Sequence, residues 1–351
     1  MNLDEDEKWL KVALEEGRKG VGLTAPNPPV GAVLVKNGVE LARGWHQKVG
    51  SPHAERGALA KVTAEQAAGA SAYVTLEPCS TEGRTGACTT ALIKAGVARV
   101  VYGSRDPNPA HVGMADQILR DAGIEVVAGV CQEECDDLIR GFRMVQTRGR
   151  PWVIAKTAMS LDGRITRPPG EGQWLTGAEA REQVHLLRGE VDAILTSGET
   201  LRSDDPALTI RSEEVSSKKV QPWRVVLSRS EIEKERYQVF TDEFRERSLL
   251  FQNVDLYESL RTLAGERQVN TVLLEAGGNL LGAFSDQGLI DEWVIYVAPL
   301  VLGGPDSALR GSGAGSLEER LSLKGVKIEK VGNDLCARGV VDRSGPAPLQ
   351  R

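Results

Sequence analysis

Residues 75–88 read TLEPCSTEGRTGAC, and residues 52–55, upstream of them, read PHAE. The run SAYVTLEP is a strand pattern that stops at Pro78, a residue with no amide to lend to a ladder. Cys79 therefore stands at a strand end. Cys88 opens the helix pattern ACTTALIKAG, which Gly96 closes. His53 and Glu55 stand at the start of another helix, HAERGALAKV. One imidazole and two thiolates suit zinc, with the fourth position left to water. Zinc pulls the pKa of such a water toward ~7 and so provides hydroxide at neutral pH. Glu55, two residues beyond His53, is placed to take that proton and pass it on. A purely structural zinc fits less well, because only three good protein ligands are visible.

Outward from this stretch, strands and helices alternate. Residues 5–20 form an amphipathic helix carrying Trp9, Leu10, Ala13 and Leu14 at helical spacing. TAPNPPVG is a loop, and AVLVKNGVELARGWH a hairpin turning at Asn37-Gly38. ARVVYG, ADQILRDAG and IEVVAG continue as strand, helix and strand, and CQEECDDLIRGFRMVQ is one further helix. A boundary falls in TRGRP, near residue 148. The second half restarts with strand WVIAKTAMS, then helix GAEAREQVHLLRG and strands AILTSG, WRVVLS and SLLFQ. Helix LYESLRTLAG, strand TVLLEAG, helix NLLGAFSDQG, strand EWVIYVAP and a hairpin over about 325–342 complete it. The fold class is α/β throughout, since this alternation implies sheets covered by helices. The expected domains are 1–147 and 148–342, with 343–351 (RSGPAPLQR) a frayed tail.

The chain has 351 residues, 41% hydrophobic and 26% charged, enough for two cores, with a net charge of −6. That balance provides no positive field to draw nucleic acid or anionic membrane. No apolar run approaches the ~20 residues of a membrane span. The acidic start MNLDEDEKWLKVALEEG is neither signal nor transit peptide, so a cytoplasmic protein is expected. Five cysteines, an odd number, argue against a disulfide framework. Cys131 and Cys135 have no histidine nearby and are read as helix residues, and Cys336 as core.

The His-x-Glu…Pro-Cys order is that of zinc nucleobase deaminases, with one departure: eight residues separate Cys79 from Cys88, where two are usual. TLEPCSTEGRTGAC instead resembles the riboflavin-type deaminase of the cytidine-deaminase-like superfamily, as do APNPPVGAVLV, GWHQKVGSPHAE and RDPNP. KTAMSLDGRI, GEGQWLTG, HLLRGEVDAILTSGETLRSDDPALTIR, LLEAGGNLLGAF and VIYVAPLVLGG are similar to the reductase domain of the same bifunctional family, a dihydrofolate-reductase-like α/β fold. The resemblance spans about residues 5–340. It implies a cytidine-deaminase-like α/β/α layered domain that deaminates 2,5-diamino-6-ribosylamino-4(3H)-pyrimidinone 5′-phosphate. A second domain would then reduce the ribosyl chain to ribityl with NADPH. It also implies a homo-oligomer, a dimer or tetramer.

Carried onto these residues, the resemblance implies zinc on His53, Cys79 and Cys88, one ion per chain, with Glu55 moving protons. It puts NADP on Ala158, Trp174, Thr200, Asp204, Ser228 and Gly277, Gly278, Asn279, Leu280, Leu281, Gly282 and Ala283. Substrate would meet Asn27, Lys156, Gly172, Arg188, Leu208, Arg211 and Glu275. The residues' own chemistry agrees in part. Asn27 offers a donor and an acceptor to a pyrimidine edge, although Asn-Pro also favours a plain turn. His46 and Gly83-Arg84-Thr85 are further pocket candidates. No GxGxxG supports a Rossmann site. The small residues after Glu275 let backbone approach a phosphate at a helix N-terminus. Arg188 and Arg211 can clamp a sugar phosphate, though exposed helix arginines are often only solvated. Lys156 points from a strand toward the same site. Gly172 departs from the family's GESxW, and GRTGAC from GRTPPC. Rival readings are a zinc nucleoside or RNA deaminase with an accessory domain, and a relative with one or both sites lost.

Overall fold

The computed structural model describes residues 3–81, 86–108, 111–165, 174–212, 215, 219–316 and 318–344. Two compact units divide the chain, residues 1–149 and 150–351.

The first unit has three layers. β1 (Gly31–Lys36), β2 (Val39–Trp45), β3 (Ser71–Leu76), β4 (Arg99–Ser104) and β5 (Glu125–Ala128) form a sheet of order β2-β1-β3-β4-β5. β1 runs antiparallel to β2 and β3, while β3, β4 and β5 are parallel. The β1–β2 turn uses positive φ at Asn37 (52°) and Gly38 (72°), as a two-residue hairpin of matching twist requires. Strand side chains alternate between two cores. Leu34, Val74 and Tyr102 pack beneath α2 (Ala54–Leu59), α4 (Cys88–Lys94) and α5 (Met114–Asp121). Val33, Tyr73 and Val101 pack against α1 (Leu3–Arg18) and Cys135 of α6 (Gln132–Leu138). A short α3 (Ala64–Ala67) is closed by a capping box between Thr63 and Gln66.

Two local expectations change here. The single helix expected over 131–146 is two, α6 and α7 (Arg140–Arg148). The chain leaves helical dihedrals at Ile139 (φ −101°, ψ 14°), whose side chain is fully buried, so core packing overrides the local helical pattern. Cys131 is not inside a helix either: it caps α6 at φ 50°.

The second unit is built on an eight-stranded sheet. Its strands are β6 (Trp152–Ser160), β7 (Ala193–Ser197), β8 (Trp223–Ser228), β9 (Ser248–Gln252), β10 (Thr271–Glu275), β11 (Glu292–Ala298), β12 (Leu323–Val331) and β13 (Asp334–Val341), in the order β12-β13-β11-β6-β10-β7-β8-β9. The six from β11 to β9 are parallel, and the closing hairpin β12–β13 joins antiparallel. The central parallel strands read as nearly continuous apolar runs because both faces are covered. α8 (Ala178–Gly189), α9 (Gly198–Asp204) and α10 (Gln238–Thr241) cover one face, and α11 (Leu256–Arg267) and α12 (Gly278–Asp286) the other. α9 escaped the sequence reading. Its signal is Ser197, whose hydroxyl accepts from the Thr200 amide as an N-cap. No described helix is long and apolar enough to cross a membrane.

Candidate active sites

In the first unit the site forms where α2 and α4 begin. α2 packs closely on β2 because Gly44 has no side chain: a β-carbon there would lie 2.2 Å from the Ala54 carbonyl oxygen. That packing sets His53 at the N-cap of α2 and Glu55 in its first turn. Cys79 lies just past β3, and Cys88 is the first residue of α4. The Cys88 amide donates to Cys79 Sγ at 3.3 Å. His53 Nδ1 is 3.5 Å from Cys79 Sγ and 3.4 Å from Cys88 Sγ, and the three ligand atoms lie within 4.8 Å of one another. Bonds of about 2.0–2.3 Å in a tetrahedron put ligand atoms roughly 3.3–3.8 Å apart, so this donor set fits zinc in both chemistry and size.

The two thiols compete for one proton, which Cys88 retains. This competition holds the Cys79 thiol far below its ordinary range and pushes Cys88 up. Glu55 is 4% exposed, and burial, then the charge on Cys79, raises its carboxyl above the ordinary value. A buried carboxyl beside the ligands is a group that can hold a proton and give it up.

A cavity of about 280 Å³ opens onto these residues. Asn27 and His46 line it together. His46 Nδ1 is 3.2 Å from the Pro52 carbonyl, which can only accept, so Nδ1 carries the proton. Nε2 is then an acceptor and takes a hydrogen bond from Asn27 Nδ2 at 3.0 Å. Burial lowers the His46 pKa, which favours this neutral form. The amide of Asn27 is thus oriented, with one N–H committed to His46. RDPNP has no role legible in its sequence alone. Asp106, Asn108 and, just beyond, His111 line the cavity, as do Phe142 and Gln146 of α7. Glu77 holds this loop, accepting from the amides of Asp106 and Ala115. Gly83-Arg84-Thr85 lie outside the described residues. Cys131 and Cys135 are not part of the metal cluster.

In the second unit the candidates come from the carboxyl ends of parallel strands. Glu275 ends β10, in register with Lys156 of β6. Its carboxylate takes a bidentate bond from Arg188 of α8 (2.6 and 3.1 Å) and an ion pair from Lys156 (3.2 Å). Burial alone would raise this carboxyl, but Arg188 and Lys156 hold it well below the ordinary range. Arg188 thus turns to Glu275, and its remaining nitrogen donates to the Thr209 carbonyl. Arg211 is exposed and makes no ion pair among the described residues.

Thr200 and Ser228 come near each other through Ser197 and Gly198: a β-carbon on Gly198 would meet Ser228 Oγ at 2.5 Å. Asn279 of α12 donates to Glu199 of α9. The glycines after Glu275 divide. At Gly278 a β-carbon would strike the Ser307 carbonyl (2.3 Å) and at Gly282 the Arg310 carbonyl (1.7 Å), so both serve packing against residues 307–310. Only beside Gly277 is there room, the nearest atom being Ile165 Cδ1 at 4.0 Å. Leu281 is fully buried in the core, Leu280 packs against it, and Ala283 is half-buried in α12. Ala158 is half-buried in β6, Asp204 is exposed at the end of α9, and Leu208 is buried at φ 51°. Trp174 is exposed beneath Arg181, whose guanidinium lies 5.7 Å from the ring centre. Gly172 lies outside the described residues.

The two halves match two family models. Residues 3–104 match the cytidine and deoxycytidylate deaminase zinc-binding region, and residues 151–337 match the RibD C-terminal domain. The class is a zinc-binding deaminase module followed by a reductase module. The riboflavin biosynthesis protein RibD of Escherichia coli (strain K12) is 40% identical over 362 residues, covering 95% of this chain and 98% of that protein. The solved structure of Acinetobacter baumannii RibD (form 1) superposes with a TM-score of 0.90 at 36% identity, covering 97% of this chain and all of that one. A Thermotoga maritima structure described as a diaminohydroxyphosphoribosylaminopyrimidine deaminase/5-amino-6-(5-phosphoribosylamino)uracil reductase superposes at 0.85 and 31% identity, with the same coverage. The chain belongs to the RibD family, the bifunctional deaminase–reductases of riboflavin biosynthesis. Full-length relatives explain both halves, which the nucleoside-deaminase reading did not.

Proposed function

We propose that this chain deaminates 2,5-diamino-6-ribosylamino-4(3H)-pyrimidinone 5′-phosphate, consuming water and releasing ammonia, and then reduces the ribosyl chain to ribityl with NADPH. The observation that carries the first step is the spacing of His53, Cys79 and Cys88 beside buried Glu55. Zinc held by those three residues would supply an acidified water. Glu55 would take the two protons of that water in turn, passing one to the ring nitrogen and one to the departing amine. Asn27, oriented by His46, would present its carbonyl and second N–H to the pyrimidine edge.

For the second step NADPH would supply the hydride. The backbone at Gly277 and the start of α12, with Thr200 and Ser228, would receive cofactor phosphates, because a helix N-terminus favours negative charge. Glu275 and Lys156 would meet the ribose hydroxyls, with Arg188 holding Glu275 in place. The guanidinium of Arg211, without a partner among the described residues, suits the sugar phosphate. A cytoplasmic homo-oligomer, dimer or tetramer, completes the reading. The test is a mass-spectrometric time course on the diaminopyrimidinone phosphate with zinc-loaded protein. Without NADPH the deaminated compound should accumulate, and with NADPH the ribityl product should form. No deamination by zinc-loaded protein overturns the proposal.

A further inference from the structure

Residues 205–212, between α9 and β8, have no regular structure, yet side chains from elsewhere bond the backbone of Asp205, Ala207, Thr209, Ile210 and Arg211. Arg224 donates to the Ala207 carbonyl at 3.1 Å, and Arg188 to the Thr209 carbonyl at 2.8 Å. Gln221 grips Ile210 from both sides: its Oε1 accepts from the Ile210 amide (2.8 Å) and its Nε2 donates to the Ile210 carbonyl (3.0 Å). His185 Nδ1 accepts from the Arg211 amide (3.4 Å). Leu208 is buried at φ 51°, a strained conformation for a branched side chain that persists only where the surroundings impose it. The bonds from Gln221 and His185 end on the residue before Arg211 and on Arg211 itself. Its exposed guanidinium makes no hydrogen bond or ion pair among the described residues. Ordering backbone costs about 1–2 kcal/mol per residue, so a loop tied at this density and presenting an unpaired cation is preorganised for an anion.

We propose that Gln221 and His185 are positioning residues of the reductase step: they fix the 205–212 loop so that Arg211 stands ready for the substrate's phosphate. This rests on the reductase reading given above and deepens it. Neither residue needs to touch substrate. Gln221 imitates a strand neighbour for Ile210. His185 contributes only as the neutral ring: an amide N–H can only donate, so Nδ1 must be bare and the proton must sit on Nε2. Protonated His185 has no acceptor for Arg211 N–H, so acid should release the end of the loop. The charged groups that face the ring are Arg188 and Glu182 on its own helix, Arg211 on the loop and Glu275 at the end of β10. Burial, with Arg188 and Arg211, lowers its pKa below 6.5 and keeps it neutral at pH 7 and above.

The experiment is steady-state reduction by the full-length zinc-loaded protein. The substrates are the deaminated ribosylaminopyrimidine phosphate and the same compound without phosphate. Gln221→Ala and His185→Ala should each raise KM for the phosphorylated substrate about tenfold, the loss of one or two hydrogen bonds, and leave kcat within about twofold. The compound without phosphate should show no change. His185→Asn keeps an acceptor near the Nδ1 position and cannot titrate, so it should restore wild-type KM at pH 8. Phosphate itself titrates near ~6 in every variant, so the reading is the ratio of wild-type KM to His185→Asn KM, which should rise as pH falls from 7.5 to 5.5. If the wild type reduces the phosphorylated compound but both alanine variants keep its KM, the loop proposal is overturned and the reductase reading stands. A kcat loss with unchanged KM, or equal damage with both substrates, overturns it as well. If the wild type reduces neither compound, the reductase reading itself has failed.

Discussion

The two candidate sites are built by opposite means. In the first unit three metal-ligand side chains and one carboxylate come from two helix starts and one strand end, with rare residue types in a fixed order. In the second unit the side chains come from β6, β10, α8, α9 and the end of β8, and much of what is on offer is backbone and space. A metal demands particular atoms at bonding distance. A phosphate or a nucleotide can be met by almost any residue with a free amide. The first kind of site is therefore concentrated in a few residues, and the second is distributed among many.

That contrast makes the first site the more brittle. Cys88→Ala should reduce bound zinc from one per chain to near zero and slow deamination on the order of 10⁴-fold, while NADPH-dependent reduction of supplied deaminated substrate continues. Parallel loss of reduction would mean the sites are not independent. Next in size, Glu55→Gln should keep full zinc, by metal analysis, and slow deamination by about 10²–10⁴-fold. Normal deamination by this variant would remove Glu55 from its proton role.

In the second unit, Glu275→Gln leaves Arg188 and Lys156 facing each other without their shared carboxylate. It should lower that unit's stability in urea by about 3 kcal/mol and cripple reduction while sparing deamination. The pH sign follows from the depressed carboxyl. Its contribution is complete above the unfolded value of 4.5 and is lost as pH falls from there toward the folded value. Wild type should therefore lose more stability than Glu275→Gln between pH 5 and pH 3, and equal losses would show that the pairing contributes nothing. The smallest effect expected is from Cys131→Ser, which should leave zinc content unchanged to within about 10%, since Cys131 caps α6 and lies outside the cluster.

Much of the alternation of elements was legible because buried strands and amphipathic helices leave period-two and helical patterns in sequence. The break at Ile139 was not, since nothing local in DDLIRGF forbids one helix and only the buried isoleucine decides it. Short α9 was missed for a related reason: a single serine cap is a weak signal between two strong strands. Among the site residues, His53, Glu55, Cys79 and Cys88 could be grouped from residue type and order alone. Arg188 shows the limit of that approach. As a helix arginine it could serve a phosphate, a carboxylate or solvent, and only the register of β6 and β10 brings Glu275 and Lys156 to it. Gly278, one of the small residues read as letting backbone approach a phosphate, also lets the chain's own Ser307 carbonyl come close. Glycine records that something comes near, but not what.

By itself the sequence determined the α/β class, the family and its pair of activities, because each leaves its record in residue types at short range: hydrophobic period, ligand chemistry and motif order. Only the tertiary structure decided which arginine is spent on Glu275, what orients Asn27, and what holds residues 205–212. Those are contacts between segments far apart in the chain, where one donor can satisfy only a few acceptors, and the choice among them is made by packing.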